Sequence, residues 1–274
     1  YYLISAGAWT EYDSDYLHKS LADSKFDSVN IYDCTSQWGV FSIAGPNSRS
    51  FLKKIVVSED PDKTLSNKEF PWLSYRDIEI GMCPIRALRV AYTGELGWEL
   101  HHPIEMQNYL LDILLSSGEE FNLKLVGARA QNWLRQEKSY KAFGSDLGRD
   151  AGPFESNLSR FVDINKNFLG KDALLKRKTD VSCVTLLIDG PKDIDPWGRE
   201  ALYNETEEIM LGRLTSAGYS VHFKRSIGIG YVKSSFSEVG TKLRIKIDDA
   251  FWDAEIVRDS PYDPQNERII DRVQ

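Results

Sequence analysis

The stretch Arg86–Pro103, RALRVAYTGELGWELHHP, decides how the chain is read. Arg86 to Tyr92 alternates, with Leu88, Val90 and Tyr92 on one side and Ala87, Arg89 and Ala91 on the other, as in a half-buried strand. Thr93-Gly94-Glu95-Leu96 forms a short turn, and Gly94 can take a positive φ without steric cost. Gly97–His102 is the return strand. Trp98, Leu100 and His102 share one face of it, and Glu99 and His101 share the other. If Tyr92 pairs with Gly97, then Val90, Tyr92 and Glu99 stand on one side of the hairpin. A carboxylate beside a ring and an aliphatic group suits a flat heterocycle with N–H donors along its edge. The same residue types also suit an ordinary solvated edge hairpin, with Glu95 in the turn and His101-His102 at a strand end facing water.

What separates the two readings is a motif. YTGELGWEL resembles the Y-T-G-E-x-G-x-E-[IL] hairpin of the glycine-cleavage T-protein (aminomethyltransferase) family, whose fold also forms the folate-binding half of dimethylglycine and sarcosine dehydrogenases. The resemblance implies that Tyr92 and Glu99 contact the pterin of tetrahydrofolate. Gly127–Leu147 resembles a helix shared by both branches of the family. The early Arg that touches folate in T-proteins falls on Gln131, a weaker candidate contact. Arg129, Ala130, Leu134, Arg135, Glu137, Lys138, Tyr140, Gly144 and Asp146 fit the dehydrogenase version. Arg135 and Glu137 are expected in a structural ion-pair or hydrogen-bond network. Gly152–Leu158, Phe168–Lys171, Gly212–Gly218, Ser226–Val232 and Ser260–Pro264 resemble further family segments, so the likeness runs nearly the length of the chain. At Ala6 the family commonly has a folate-contacting Asn, so that contact is lost or made by backbone here.

Periodicity divides the chain. Tyr1–Ser5, Ser28–Asp33 and Trp38–Ile43 read as strands and Glu11–Asp23 and Ser48–Ile55 as helices, the order of a ferredoxin-like α+β unit. Trp72–Met82, the hairpin, and helices over Pro103–Ser116 and Val126–Ala142 supply a second unit woven into the first. From Val181 the pattern changes to short strands joined by turns, which reads as a small all-β barrel. The expected organisation is a folate-binding α+β domain over 1–178 and a β-barrel domain over 179–274, the first incomplete at its N-terminus.

Composition excludes several classes. A net charge of −7 argues against nucleic acid as the main partner, and no apolar run approaches membrane-spanning length. Three cysteines with no CxxC indicate a reducing compartment, cytoplasm or mitochondrial matrix, and buried or inert thiols. The four histidines make no metal-ligand pattern. Without GxGxxG or GxSxG, the chain itself should bind no FAD or NAD and use no serine nucleophile.

The resemblance implies a tetrahydrofolate-dependent one-carbon transferase. It would form 5,10-methylene-tetrahydrofolate from a small amine donor and work beside an upstream FAD domain or a lipoyl carrier protein. The family's proton-handling Asp precedes the segment matching Tyr1–Ser5, so no catalytic residue is named and the chain alone is expected to be inactive. Two alternatives are a folate-dependent demethylase of a sulfonium substrate and a non-catalytic folate-binding protein with a K-G-C-[YF]-x-G-Q signature. Phe168–Ala173 stands near the place of that signature and does not match it.

Overall fold

The computed structural model describes residues 1–190 and 195–271. In chain order it holds helix α1 (Thr10–Ala22), strand β1 (Trp38–Ala44), helices α2 (Ser48–Ile55) and α3 (Pro61–Thr64), and strands β2 (Tyr75–Ile80), β3 (Cys83–Leu88) and β4 (Gly97–Pro103). Helices α4 (Gln107–Gly118), α5 (Ala128–Glu137) and α6 (Lys171–Lys176) follow. The remaining strands are β5 (Val181–Ile188), β6 (Ala201–Tyr203), β7 (Met210–Ser220), β8 (Arg225–Lys233), β9 (Lys242–Ile247) and β10 (Ala250–Val257), before a last short helix, α7 (Glu267–Ile270).

The first four strands make one antiparallel sheet in the order β1-β4-β3-β2. Its period-2 alternation sends Phe41, Ile43, Ile78, Ile80, Ile85, Trp98 and Leu100 to one face, where they meet Phe51 and Leu52 of α2 and Leu110 and Leu114 of α4. The pairing of β1 with β4 spans the whole β2–β3 excursion, and this weaves the two halves of the α+β unit together. The other six strands close into a barrel, β10-β5-β8-β7-β6-β9, filled by Val184, Leu186, Ile188, Leu202, Leu214, Val232, Ile245 and Ile256. Among the described residues, closure gives every barrel strand a neighbour on both sides.

An α+β unit followed by a barrel is the expected class. Two expected strands are not formed: Tyr1–Ser5 and Ser28–Asp33 run as irregular chain. Alternation marks a segment that could be a strand, but a strand also needs a ladder partner for its N–H and C=O groups, and neither segment has one among the described residues. Helix α5 stops at Glu137, well short of Ala142, because Ser139 takes a left-handed φ of 54°. The Ser139 hydroxyl then meets Thr185 Oγ1 at 2.7 Å and accepts from the Ser260 N–H at 2.8 Å.

The end of α5 ties the two units together. Arg135 donates to Asp146 at 2.6 Å, to Ser216 Oγ of β7 at 2.6 Å and to the Tyr140 carbonyl at 2.7 Å. Asp146 also accepts from Thr215 and Ser216, each at 2.6 Å, and from the Ala142 N–H at 2.9 Å. Both side chains are essentially buried, at 3% and 0% exposure. Glu137 takes the hydroxyl of Ser220, at the end of β7. The structural network expected of Arg135 and Glu137 is therefore present, and its partners lie on the barrel.

Replacing Arg135 by Leu strands the Asp146 carboxylate in the interior. We expect a loss of about 3–5 kcal/mol in urea or thermal unfolding, with part of it recovered in Arg135→Leu/Asp146→Leu. Equal stability of Arg135→Leu and wild type would refute the account of this junction.

Candidate active site

Strand β4 presents the site. Trp98 and Leu100 point into the core, while Glu99 and His101 point to the opposite face, as their alternation requires. The ladder sets Glu99 between Ser42 and Leu88, and His101 between Val40 and Arg86. On this side lies a cleft of about 620 Å³ lined by Tyr1, Tyr2, Ile4, Tyr75, Arg86 and Leu88. The Glu99 side chain keeps 33% of its surface exposed, with His101 Nε2 at 3.3 Å from Oε2. The Tyr2 hydroxyl lies 3.0 Å from His101 Nδ1. Arg86 stacks its guanidinium over the rings of Tyr2 and Trp38, at 4.9 and 5.5 Å, and approaches Asp77 at 3.5 Å. Burial pushes the Tyr2 phenol above its ordinary range, against the opposing pull of Arg86.

The connection between the hairpin strands differs from the expected tight turn. The ladder pairs Leu88, rather than Val90, with Glu99, and ends there. Gly97 pairs with Ala44 of β1 and not with Tyr92. This is a slip of two residues, so the sidedness of Glu99 survives it. The chain leaves the ladder at Arg89, whose N–H turns to the Ser74 carbonyl. The Arg89 side chain is buried and donates to the carbonyls of Phe70 (2.6 Å) and Ile270 (3.0 Å). Its guanidinium and that of Arg49 both lie over Trp98, and burial lowers its pKa to about 10.

Tyr92 consequently sits in the loop and not in the ladder. Its ring stacks on Tyr140, centroids 6.0 Å apart and planes 14° apart, and burial raises its phenol against the opposing charge of Arg135. Gln131 lies half-buried on α5, one turn before Arg135. The fold thus puts Glu99 beside the cleft and sets Tyr92 and Gln131 toward Arg135. Among the described residues no hydrogen bond or ring contact joins Tyr92 to Glu99.

Three residues expected in water are not there. Glu95 accepts from the Tyr262 hydroxyl and lies 3.5 Å from Arg268, because the segment after the barrel folds back over the turn. Gly94, at φ 81°, lies against Lys138, where a Cβ would come within 2.4 Å of Cγ. Lys138 in turn donates to the Asp263 carbonyl at 2.6 Å and to Asn266 at 2.8 Å. His101 and His102 are also buried, at 2% and 0% exposure. His102 stacks on Phe41 on the core face and its Nδ1 meets the Leu100 carbonyl at 2.9 Å. Sequence reading missed Tyr2, Arg86 and His101 as neighbours of Glu99. Alternation already put His101 on the Glu99 face, but nothing local announces Tyr2.

Residues 1–166 match the family described as GCVT N-terminal domain, and residues 182–263 match the glycine cleavage T-protein C-terminal barrel domain. The chain belongs to the glycine-cleavage T-protein family. It is 34% identical over 266 residues to mouse (Mus musculus) mitochondrial dimethylglycine dehydrogenase, a match that takes in 94% of this chain and 29% of that protein. Against the aminomethyltransferase of Caldanaerobacter subterraneus subsp. tengcongensis it is 27% identical over 248 residues, 90% of this chain and 64% of the other. The crystal structure of the glycine cleavage system aminomethyltransferase T from Bartonella henselae superposes with a TM-score of 0.68 at 22% identity, over 82% of this chain and 60% of that one, which establishes a common fold. The chain spans under a third of the length of the dehydrogenase it matches. Among the described residues no helix is long and apolar enough to cross a membrane.

The cysteines of this T-protein relative are unequal. Cys83 and Cys183 are buried and Cys34 is partly exposed. Burial raises both inner thiols, that of Cys183 to about 12, which lowers their reactivity as it removes them from solvent. In the native protein iodoacetamide at pH 8 should label Cys34 first, with Cys83 and Cys183 reacting only after denaturation. Mass spectrometry of the labelled peptides checks this, and early labelling of Cys183 would contradict its burial.

Proposed function

We propose that this chain is the tetrahydrofolate-binding, one-carbon-transferring part of a dimethylglycine- or sarcosine-dehydrogenase type enzyme. The observation that carries the reading is Glu99, a partly exposed carboxylate on the side of the sheet where aromatic and aliphatic residues wall a cleft. The cleft's size falls within the range of about 300–1,000 Å³ common for small-molecule sites. Family membership supplies the ligand class.

In this reading Glu99 accepts the adjacent N–H donors of the pterin edge, a charge-assisted pair that fixes the ring's orientation. Tyr92, backed by Tyr140, gives a ring contact, and Gln131 a polar contact, elsewhere on the ligand. The chain's part in the reaction is to hold tetrahydrofolate so that a one-carbon unit from a small methylated amine is captured as 5,10-methylene-tetrahydrofolate. Orientation of that kind is a large share of what such an enzyme must supply. We assign no proton-handling residue within 1–274. The oxidation that releases the one-carbon unit belongs to an FAD-bearing partner domain, or a lipoyl carrier protein delivers it. The junction between the folate-binding and barrel domains is placed at 178/179.

Glu99→Gln keeps the shape and replaces one acceptor oxygen by a donor. Isothermal titration of the full-length protein with tetrahydrofolate should show binding weakened by about 2–3 kcal/mol. Glu59→Gln, at an exposed site in the loop after α2, is the control and should bind normally. Unchanged affinity in Glu99→Gln would overturn the assignment.

A further inference from the structure

We infer that His101 and Tyr2 are positioning residues for Glu99, forming a hydrogen-bond chain of fixed polarity that holds the carboxylate in the orientation the ligand needs. This rests on the proposed role of Glu99, and its test separates the two.

The polarity follows from valence for the neutral ring, since an imidazolium would donate from both nitrogens. An ionised carboxylate only accepts, so the 3.3 Å contact between His101 Nε2 and Glu99 Oε2 requires a proton on Nε2. In a neutral imidazole the other nitrogen then has a bare lone pair. His101 Nδ1 therefore accepts, and the Tyr2 hydroxyl 3.0 Å away donates. The reverse tautomer would set a nitrogen lone pair against a carboxylate oxygen, two acceptors facing each other at a part-buried contact. Tyr2 thus selects the tautomer and the tautomer selects the hold on Glu99.

Each member is itself fixed. His101 is 2% exposed and lies in the middle of the sheet, paired to Val40 on one side and Arg86 on the other. Tyr2 comes from an irregular exposed segment and is itself 38% exposed, less than its neighbours Tyr1, Leu3 and Ile4, because its ring has contacts on three sides. It meets Trp38 at 5.9 Å and the edge of His101 at 5.7 Å, and lies under Arg86. With Oε2 tethered, the carboxylate cannot swing freely about its last torsion, and Oε1 keeps its full accepting capacity for a ligand N–H. Holding the acceptor before the ligand arrives lowers the ordering cost of binding.

The test compares two amides. In His101→Gln the side-chain nitrogen can stand where Nε2 stands and still donate to Glu99. In His101→Asn it reaches only the place of Nδ1. Calorimetric titration of the full-length protein with tetrahydrofolate should show His101→Asn binding about tenfold more weakly and His101→Gln within about threefold of wild type, the spread expected when one charged hydrogen bond is lost or kept. A role in packing alone would penalise both alike. Histidine-selective ¹⁵N spectra without ligand, with the His101 signal assigned by its loss in His101→Gln, should show the Nε2–H tautomer in wild type and a mixture in Tyr2→Phe. Equal affinities for His101→Asn and wild type, or an Nδ1–H tautomer in wild type, would overturn the inference. If the wild type binds no tetrahydrofolate the functional reading falls, and the tautomer alone decides the hydrogen-bond chain.

Discussion

The buried pair between Arg135 and Asp146 is the interaction on which the arrangement of this chain depends. A carboxylate and a guanidinium removed from water are stabilising only when the remaining donors and acceptors are also matched. Here they are. Asp146 takes two hydroxyls from β7 and a backbone N–H from its own loop, and Arg135 spends its other donors on Ser216, Asn132 and the Tyr140 carbonyl. These partners come from a helix, the loop that follows it and a barrel strand 69 to 81 positions further on, so the pair is satisfied in a single placement of the barrel against the helix. That is a specificity argument more than a stability one. It also explains why Tyr92, which rests on Tyr140 beside this network, has a defined place despite lying in a loop.

The second tie runs through the chain's closing segment. After β10 the backbone returns across the α+β unit, and the loop Arg89–Leu96 is gripped at both ends. Arg89 holds the Ile270 carbonyl, Glu95 takes Tyr262, and Gly94 rests on the Lys138 stem whose ammonium is bound to Asp263 and Asn266. The loop has few ladder hydrogen bonds of its own. Its shape is therefore borrowed from residues far along the chain.

What could be read from the sequence follows from range. Alternation in β4 correctly sorted Trp98 and Leu100 from Glu99 and His101, since sidedness depends only on period 2. The switch to short strands at Val181 announced the barrel, whose first strand, β5, begins at that residue. The hairpin register slipped by two because Arg89 is drawn out of the ladder by Phe70 and Ile270, partners no local pattern reveals. Glu95 and the two histidines were placed in water for the same reason: a turn glutamate looks solvated until a distant tyrosine reaches it. Tyr1–Ser5 shows the converse, a segment with strand composition and no ladder partner among the described residues. In each case the local code is intact and a nonlocal contact decides the outcome.

The closing segment also bears on how the chain comes off the ribosome. The contacts that fix the Arg89–Leu96 loop join residues 125 to 181 positions apart. During synthesis the sheet core can form once α4 has emerged, but the loop bearing Tyr92 has to wait for residues 260–271. Long-range closures of this kind come late in folding, because their entropic cost is met only after the local structure exists. A nascent chain that has reached only β10 would thus carry a folded sheet with the Arg89–Leu96 loop still unfixed.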